Sequence, residues 1–512
     1  MSESWYDAVV VGAGFGGMAT ALDLVQRGAR VALCEALNYP GGCASTFRRD
    51  GYAFEAGATL FSGLGEEQLF GQWVRRHGLK VEVDWLDPLV ELRTPSLRLS
   101  VYRDRQRFLG QLFGLPGAPV RGLQGFFAHQ RQVADALWSL FDEPGLLPPL
   151  DARSLLRHAA RVPRYMSLLR WLGRPLGAVL EHFGLLRFTP LKTYLDGLCQ
   201  ITVQCSAAEA EAPIAMAAMD YYWRGTGHVR GGIGRLAEAL VEAITRGGGE
   251  VLLANRVKSL APESGGWRVV TRRGELRARH VAANVLPQGL LRLLGPSSEQ
   301  LPRLVELGER VAEGWGAAML YRVVRAPEGA PAKACHLELV QDEASPFVEG
   351  NHLFVSISGE ADVGRAPPGH RTLTVSTHVP LRTLAGAAPE EQGRYLAGIQ
   401  ARMREGLTRL APEWARDVRH ELTASPRTFE RFTRREGGAV GGVPRRAGLH
   451  QYRELSPRPV MDGLWLVGDS VFPGQSTLAT ALGGVRTAAR IAANRWSLGI
   501  LRGRGSGRGE AE

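Results

Sequence analysis

The stretch VVVGAGFGGMATALDLVQRGARVALCE, residues 9–35, decides the fold of this 512-residue chain. It opens with a short run of valines, which is typical of a buried parallel strand. The pattern Gly12-x-Gly14-x-x-Gly17 follows at once. Its three glycines permit a sharp turn, the close approach of a pyrophosphate and the tight packing of a helix on the strand.

The rest of this stretch predicts the second half of a βαβ unit. A helix from Gly16 to about Arg27 directs its positive end at the phosphates, and Gly28 ends it. Arg30 to Cys34 form the next strand, and Glu35 follows at the place where a carboxylate accepts hydrogen bonds from a ribose hydroxyl. We therefore expect a dinucleotide site; the alternative is a glycine turn that binds nothing.

A second stretch, LWLVGDSVFPGQSTLAT at residues 464–480, predicts the other half of the same site. An apolar strand ends at Gly468-Asp469, where the carboxylate can accept a hydrogen bond from a ribityl hydroxyl or cap the next helix. A helix from Pro473 to Ala479 would turn its positive end toward the N1–C2 edge of a flavin, which gains negative charge on reduction. The two stretches together predict one FAD site built from both ends of the chain.

Composition restricts the class of protein. The net charge of +11 comes from 62 basic residues of which only four are lysines, and no motif interleaves them with aromatic residues, so we expect no nucleic-acid partner. The five cysteines include no C-x-x-C pair and predict reduced thiols, a cytoplasmic location and no metal site. We expect neither a signal peptide nor a membrane-spanning helix.

The order of the patterns predicts an α/β fold in which a Rossmann-type FAD-binding domain carries a discontinuous substrate domain. We assign 1–75, 221–290 and 441–500 to FAD binding, 76–220 to a helical, membrane-facing part of the substrate domain, 291–440 to its antiparallel sheet and 501–512 to a disordered tail. A helix at 236–244 precedes a strand predicted at 250–257. The sheet is predicted from alternating segments at 90–102, 315–324, 336–341, 352–358, 372–378 and 417–423.

Several motifs resemble the flavoprotein family of phytoene desaturases, carotenoid isomerases and retinol saturases, which is related to the amine oxidases. They are GAGFGG, PGGCAS, FEAGATLF, GHVRGGIGRLAEAL, FERFTRREGGAVGGVP and GLWLVGDSVFPGQSTLATALGGVRTAARIA. The resemblance implies an FAD-dependent oxidoreductase that desaturates, saturates or isomerises a carotenoid or other isoprenoid polyene at flavin N5. Cys43 departs from desaturases that often have arginine after the glycine pair. Because no second dinucleotide motif is present, we expect electrons to pass through a quinone, oxygen or the substrate.

The motifs and the resemblance together predict the site residues. For Val257, the expected contact with adenine is implied by the resemblance alone. The cofactor-binding residues are expected to be Gly12, Gly14, Phe15, Gly16, Gly17, Glu35, Gly41, Gly42, Gly57, Ala58, Thr59, Val257, Gly468, Asp469, Gly474, Gln475, Ser476 and Thr477. Catalytic acids or bases are not evident. The candidates are Glu55, for which fixing its loop is the alternative role, and His228, for which an ordinary loop histidine is the alternative.

Other interpretations stay open. One is a flavin amine oxidase; many of these place a lysine near flavin N5, and of the four lysines here only Lys333 falls in the later substrate region. A flavin-free prenyl-lipid escort protein of the same fold, or a flavoprotein with a purely structural cofactor, are further alternatives. Basic residues at helical spacing predict either a solvated helix face or peripheral contact with the cytoplasmic membrane face, and they are Arg153, Arg157, Arg161 and Arg164.

Overall fold

The computed structural model describes residues 5–147, 150, 152–298, 300–452 and 455–503. Its strands, in chain order, are β1 Tyr6–Val11, β2 Val31–Cys34, β3 Thr46–Arg49, β4 Tyr52–Glu55, β5 Val83–Asp84, β6 Val90–Arg93, β7 Arg98–Val101, β8 His228–Val229, β9 Glu250–Leu252, β10 Val257–Glu263, β11 Gly266–Thr271, β12 Glu275–Ala283, β13 Trp315–Arg325, β14 Cys335–Val340, β15 His352–Ile357, β16 His370–Pro380, β17 Val418–Ala424, β18 Pro459–Met461 and β19 Leu464–Leu466.

The helices are α1 Phe15–Gln26, α2 Leu69–His77, α3 Arg105–Phe113, α4 Val120–Asp142, α5 Ala152–Leu169, α6 Leu176–His182, α7 Thr189–Thr202, α8 Ala212–Ala218, α9 Gly234–Arg246, α10 Pro287–Leu294, α11 Pro302–Ala312, α12 Leu381–Leu384, α13 Pro389–Leu410, α14 Pro412–Ala415, α15 Pro426–Thr433 and α16 Thr477–Gly503. Within the described residues, no helix combines the length and apolar character that crossing a membrane requires.

The first sheet has the Rossmann arrangement that the opening motif predicts. Its main strands lie in the order β10-β11-β12-β1-β2-β9, and β19 joins beside β12. The strand β1 pairs in parallel with β2 on one side and β12 on the other, while β19 pairs in parallel with β12. The carboxyl ends of the two motif strands, β1 and β19, therefore reach the same edge of one sheet.

The two ends of the chain also meet through their helices. The helix α16 packs along α1, and Gly484 makes this contact possible, because a Cβ there would lie 2.3 Å from the carbonyl oxygen of Gly16. The buried faces of both helices belong to one apolar cluster with β1 and α9, which includes Met18, Leu22 and Leu482. This packing joins the N-terminal and C-terminal halves of the predicted site.

The second sheet is the antiparallel layer predicted for the substrate domain. Its order is β17-β13-β16-β15-β14-β6-β7, antiparallel throughout except where β14 pairs with β6. Alternate residues such as Leu339, Val355 and Val375 face α13 in one apolar cluster. The α/β fold class with a helical subdomain, α3 to α8, is confirmed.

Four local predictions were wrong. Segment 90–102 is a hairpin, since Thr94 and Leu97 close a turn through a 2.8 Å backbone hydrogen bond. Segment 250–257 is two strands, because Ala254 takes a positive φ of 51° between them. The last helix begins at Thr477 and not at Pro473, since Gly474 and Ser476 have positive φ. Residues 501–503 of the predicted tail continue α16, and 504–512 lie outside the described residues.

Candidate functional site

A cavity of about 530 Å³ lies between the two sheets and the helical subdomain. Its wall begins at the glycine turn after β1, passes the carboxyl end of β19 and continues onto α4, α7, α8 and β16. This volume falls within the range of small-molecule and cofactor sites. The cavity therefore links the predicted dinucleotide site with the predicted substrate domain.

The glycine turn forms the first part of the wall. Gly12 takes a φ of +93°, and a Cβ on Gly14 would lie 2.7 Å from the side-chain nitrogen of Asn284. No side chain caps α1 at its N-cap residue Gly14, so its first amides are left to a ligand. Gly17 does not line the cavity: a Cβ there would lie 2.0 Å from the carbonyl oxygen of Gly12, so this glycine serves the packing of α1 on β1.

Glu35 lies where the sequence predicts a ribose contact. Its carboxylate lines the cavity, is 8% exposed, and accepts backbone hydrogen bonds from Ala13 at 2.7 Å and Leu37 at 2.8 Å. Burial raises the pKa of Glu35, and the amides of Leu37 and Ala13 oppose that shift. Each carboxylate oxygen has a second lone pair, so the group can still accept a hydroxyl.

Most of the other predicted cofactor residues also line this cavity, namely Gly12, Gly14, Phe15, Gly16, Gly41, Gly42, Gly57, Ala58, Thr59, Val257, Gly468, Asp469, Gln475, Ser476 and Thr477. Gly474 does not. Its backbone, at φ +117°, makes room for Arg445, because a Cβ on Gly474 would lie 2.4 Å from Nη2 of that arginine.

The residues present fit FAD. Several buried side-chain oxygens on the cavity wall have no direct hydrogen-bond partner among the described residues, and they include Oγ1 of Thr59, Oε1 of Gln475 and Oγ1 of Thr477. Buried polar atoms of this kind are normally satisfied, so they imply a polar ligand. The first turns of α1 and α16 supply amide donors at two separate places along the wall.

Three functional residues were missed by sequence reasoning. Asn284 directly follows β12, and its side chain lies within 3.0 Å of the Cβ positions of Gly14, Gly16 and Gly468. Its position after a buried strand was a usable signal. Arg435 donates to Asp469 at 2.8 Å, and Arg445 lines the cavity, donating to the Pro473 carbonyl at 3.3 Å. Arg435 lies within the motif FERFTRREGGAVGGVP and Arg445 directly follows it, but nothing in that motif distinguishes these arginines from their neighbours.

Burial governs the charge of these two arginines. Desolvation lowers the pKa of Arg445 to about 10, so it stays charged at neutral pH. At Arg435 desolvation is also the largest influence and opposes the charge, but the charge and hydrogen bond of Asp469, with contributions from Cys43 and Glu436, together outweigh it and raise the pKa. Within the described residues, no carboxylate forms an ion pair with Arg445. Of these two arginines on the cavity wall, Arg435 is therefore ion-paired and Arg445 is not paired with a described carboxylate.

The two catalytic candidates lie outside the cavity wall. The carboxylate of Glu55 accepts from Thr46 at 2.8 Å and from Arg365 at 3.2 Å, which ties β4 to β3 and to the loop between β15 and β16. His228 binds Asp362 at 2.9 Å and is buried. Both residues therefore fix loops and do not contact a ligand in the cavity.

The far part of the wall is mostly apolar. Side chains from α4 (Leu137, Phe141), from α7 (Ile201), from α8 (Ile214) and from the loop before α5 (Leu147) surround it. None of the four lysines, Lys80, Lys192, Lys258 and Lys333, lines the cavity, and Lys333 instead donates to the Trp85 carbonyl at 3.3 Å. Among the described residues, no group of three histidine, cysteine or acidic side chains could hold a metal ion.

The fold and the site define an FAD-dependent oxidoreductase. The model of the family "Flavin containing amine oxidoreductase" matches residues 15–492. The chain belongs to this family.

Named relatives agree with the group that the motifs resemble. Chloroplastic prolycopene isomerase of Arabidopsis thaliana is 28% identical, over 96% of this chain and 83% of its own length. All-trans-retinol 13,14-reductase of Homo sapiens is 26% identical over 51% of this chain and 43% of its own, and 4,4'-diapophytoene desaturase of Methylomonas sp is 26% identical over 54% and 53%. The resemblance to carotenoid desaturases, isomerases and retinol saturases is confirmed.

A solved structure shares the fold. Wild-type putrescine oxidase bound to putrescine superposes with a TM-score of 0.63 at 17% identity, covering 96% of this chain and 100% of its own. This likeness concerns the fold alone.

Proposed function

We propose that this protein uses FAD to desaturate, saturate or isomerise an isoprenoid polyene. The observation that carries the proposal is the single cavity that starts at the glycine turn and Glu35 and continues between apolar side chains of α4, α7 and α8. A mostly apolar cavity wall next to a flavin site suits an apolar substrate better than a cationic one. The chloroplastic isomerase and the desaturase among the relatives support the same substrate class.

Bound FAD would supply the hydride chemistry at N5. The chain's own residues would hold its adenine end at Glu35 and Val257 and its pyrophosphate at the glycine turn and at Gly41-Gly42. Asp469 would accept a hydrogen bond from a ribityl hydroxyl. The first turn of α16 would face the pyrimidine edge of the flavin, and the charge of Arg445 lies near this turn because its side chain donates to the Pro473 carbonyl. Held there, the positive end of α16 and the charge of Arg445 would favour the reduced, more negative flavin.

Electrons would enter or leave through a quinone, through oxygen or through the substrate itself. In a net isomerisation no outside acceptor is consumed.

Two alternatives are weaker. An amine oxidase would be expected to present a lysine to the flavin, and no lysine of this chain lines the cavity. A flavin-free prenyl-lipid escort protein would not need the unfilled amides of α1 or the buried carboxylate of Glu35.

We further infer that the helical subdomain contacts the cytoplasmic face of a membrane through α5. Large apolar side chains on this helix are exposed, with Leu156 at 73% and Met166 at 59%. The helix is anchored to the cavity rim, because Ser154 donates to the Gly145 carbonyl and the next residue but one, Leu147, lines the cavity. A lipid-borne substrate could thus enter beside α5.

The arginine stripe contributes less than the apolar face. Arg157 and Arg161 both pair with Glu143, the latter at 2.5 Å, so their charges are partly neutralised within the protein. Arg153 and Arg164 are exposed on the same helix and can meet anionic headgroups. We therefore assign docking mainly to the apolar residues of α5.

Expression in a carotenoid-accumulating bacterial host tests the proposed activity. The pigments are separated by chromatography and compared with those of a host that carries the Gly12→Val variant, which cannot keep φ at +93° without strain. A changed set of polyenes with the wild-type gene only supports the proposal. An unchanged pigment profile, together with oxidation of an amine by the purified protein, would overturn it.

A further inference from the structure

The strand β16 presents two polar side chains to the cavity. Ser376 and His378 line it and are partly exposed, whereas their neighbours Val375 and Val379 are fully buried against α13. This alternation is the normal consequence of a two-residue strand period. On β16, the face toward the cavity therefore carries Ser376 and His378, and the opposite face carries the valines that pack on α13.

Neither side chain has a hydrogen-bond partner among the described residues, whether at the Ser376 hydroxyl or at the ring nitrogens of His378. The centre of the imidazole ring lies 6.1 Å from that of the Trp315 ring. The neighbouring positions on β13 and β15 that line the cavity are apolar, Ala317, Met319 and Phe354. Polar groups on an apolar wall are costly unless a ligand or water satisfies them.

The imidazole is neutral at physiological pH. Desolvation, with a contribution from the charge of His352, lowers the pKa of His378 to about 3. A neutral imidazole offers one donor and one acceptor, and a serine hydroxyl offers the same pair of functions. Such a pair complements a hydroxyl group, which also donates once and accepts, better than it complements an ion or a hydrocarbon.

A second set of polar groups lies near Ser376 and His378, at a part of the second sheet that we call the polar corner: Glu338 on β14 and His352 on β15, with Tyr222 beside them. Tyr222, which lines the cavity, donates its phenol to Glu338 at 2.8 Å, and Nε2 of His352 lies 3.6 Å from the other oxygen of that carboxylate. Glu338 and His352 are each 2% exposed. The polar character of this corner therefore extends from the wall into the interior.

From this corner we propose that the substrate carries a hydroxyl group, which Ser376 and His378 bind while the polyene chain lies along the apolar wall. The substrate class is then a hydroxylated isoprenoid polyene and not a pure hydrocarbon. This inference rests on the proposed function, and it assigns the orientation of the substrate in the cavity to two residues of β16.

The test compares two ligands that differ only in the hydroxyl. All-trans-retinol and its deoxygenated hydrocarbon counterpart, axerophthene, are titrated into the oxidised FAD-loaded protein, and quenching of the flavin and tryptophan fluorescence gives each Kd. We expect retinol to bind at least tenfold more tightly, because a site that hydrogen-bonds a hydroxyl disfavours the analogue that lacks it. In His378→Phe and in Ser376→Ala the ratio should fall at least threefold, with axerophthene binding unchanged or tighter.

His336→Phe is the matched control. His336 lies on the same face of the sheet and is buried, but it does not line the cavity, so the ratio should stay at the wild-type value. FAD content is recorded for every variant, and Ser376→Ala keeps the test valid if His378→Phe does not fold. Equal binding of the two ligands by the wild type, or an unchanged ratio in the folded variants, would overturn this inference and leave the proposed function standing. Failure of the wild type to bind either ligand would also overturn this inference, whereas the pigment profile in the carotenoid-accumulating host decides the proposed function separately.

Discussion

Arg435 donates through Nη2 to Oδ2 of Asp469 at 2.8 Å. The same side chain donates to the backbone carbonyls of Ala439 and Gly441, so it connects the loop after α15 with the carboxyl end of the Rossmann sheet. The carboxylate that is proposed to meet the ribityl chain is thus held from outside the two Rossmann motifs. This ion pair joins the loop after α15 to the end of β19 at the cavity wall.

Removing this arginine should weaken FAD binding. In Arg435→Gln the Asp469 carboxylate loses its charged partner and its fixed position, and a partly buried carboxylate without its cation is costly. We expect the Kd for FAD to rise about tenfold, equivalent to about 1.4 kcal/mol. Titration of the apoprotein with FAD measures it. Arg427→Gln, on the exposed side of α15, should leave the Kd unchanged; an equal loss in both variants would refute the role of the ion pair.

Gly14→Ala should reduce FAD binding while the fold persists. The added Cβ would lie 2.7 Å from the side-chain nitrogen of Asn284 and would also occupy space beside the first amides of α1. Thermal unfolding and FAD content are measured together. Gly110→Ala serves as control, because nothing lies within 4 Å of its Cβ position in α3, and it should raise stability by about 0.5–1 kcal/mol with full FAD content. A Gly14→Ala protein with full FAD content would show that the turn does not face the cofactor.

Asp362 should make stability fall in acid. Burial alone would raise the pKa of Asp362, but the hydrogen bond and charge of His228, with Arg365 and the Gly231 amide, hold it well below its usual range. A carboxyl whose pKa is lowered by folding stabilises the protein above its unfolded pKa of about 3.9, and this stability is lost as the pH falls below that value. The free energy of unfolding should therefore decline from about pH 5 downward.

The variant Asp362→Asn isolates this contribution. It should be about 1–3 kcal/mol less stable at pH 7, and its stability should depend less steeply on pH in acid. Urea unfolding at pH 7 and pH 4 measures both quantities. Glu328→Gln, at an exposed carboxyl, should match the wild type at both pH values. Parallel acid dependence in Asp362→Asn and wild type would mean that another group dominates.

Membrane docking through α5 should depend on its apolar face. The double variant Leu156→Glu, Met166→Glu places two charges where apolar side chains are exposed, and it should lower binding to vesicles of anionic lipid at least fivefold. Flotation of the protein with vesicles measures binding. Val363→Glu, at an 82% exposed valine on another part of the surface, should bind as the wild type does. Undiminished binding of the double variant would remove α5 from the membrane contact.

The cofactor half of the site was predictable because its information is local. The valine strand, the glycine turn, the helix and Glu35 lie within one short segment, and the structure places them in a parallel sheet with Glu35 on the cavity wall. Gly468-Asp469 could be read in the same way, since they follow a short apolar strand. The physical rules for turns and helix ends are sufficient to predict the structure of such short segments from sequence.

The remainder depends on contacts between distant segments. Only the folded chain brings Arg435 and Arg445 to the cavity, and the motif at 429–444 that contains Arg435 and precedes Arg445 does not show which of its arginines reach it. Glu55 and His228 are the opposite case, because both lie in motifs and were predicted as catalytic candidates. In the folded protein Glu55 binds Arg365 and His228 binds Asp362, and the sequence does not place either partner nearby. Asn284 lies between these cases, since its place after a buried strand was visible and its contact with the glycine turn was not.

Anaerobic photoreduction of the purified protein, followed by addition of a polyene, tests the central claim most directly. The probes are prolycopene and all-trans-retinol, with putrescine added to the oxidised protein as the competing chemistry. We expect the purified protein to be yellow. Its reduced form should either be reoxidised by a polyene or change the absorption bands of the polyene while the flavin stays reduced. Putrescine should leave the oxidised flavin unchanged. A colourless protein that takes up no FAD, or a flavin that putrescine bleaches and neither polyene affects, would contradict it.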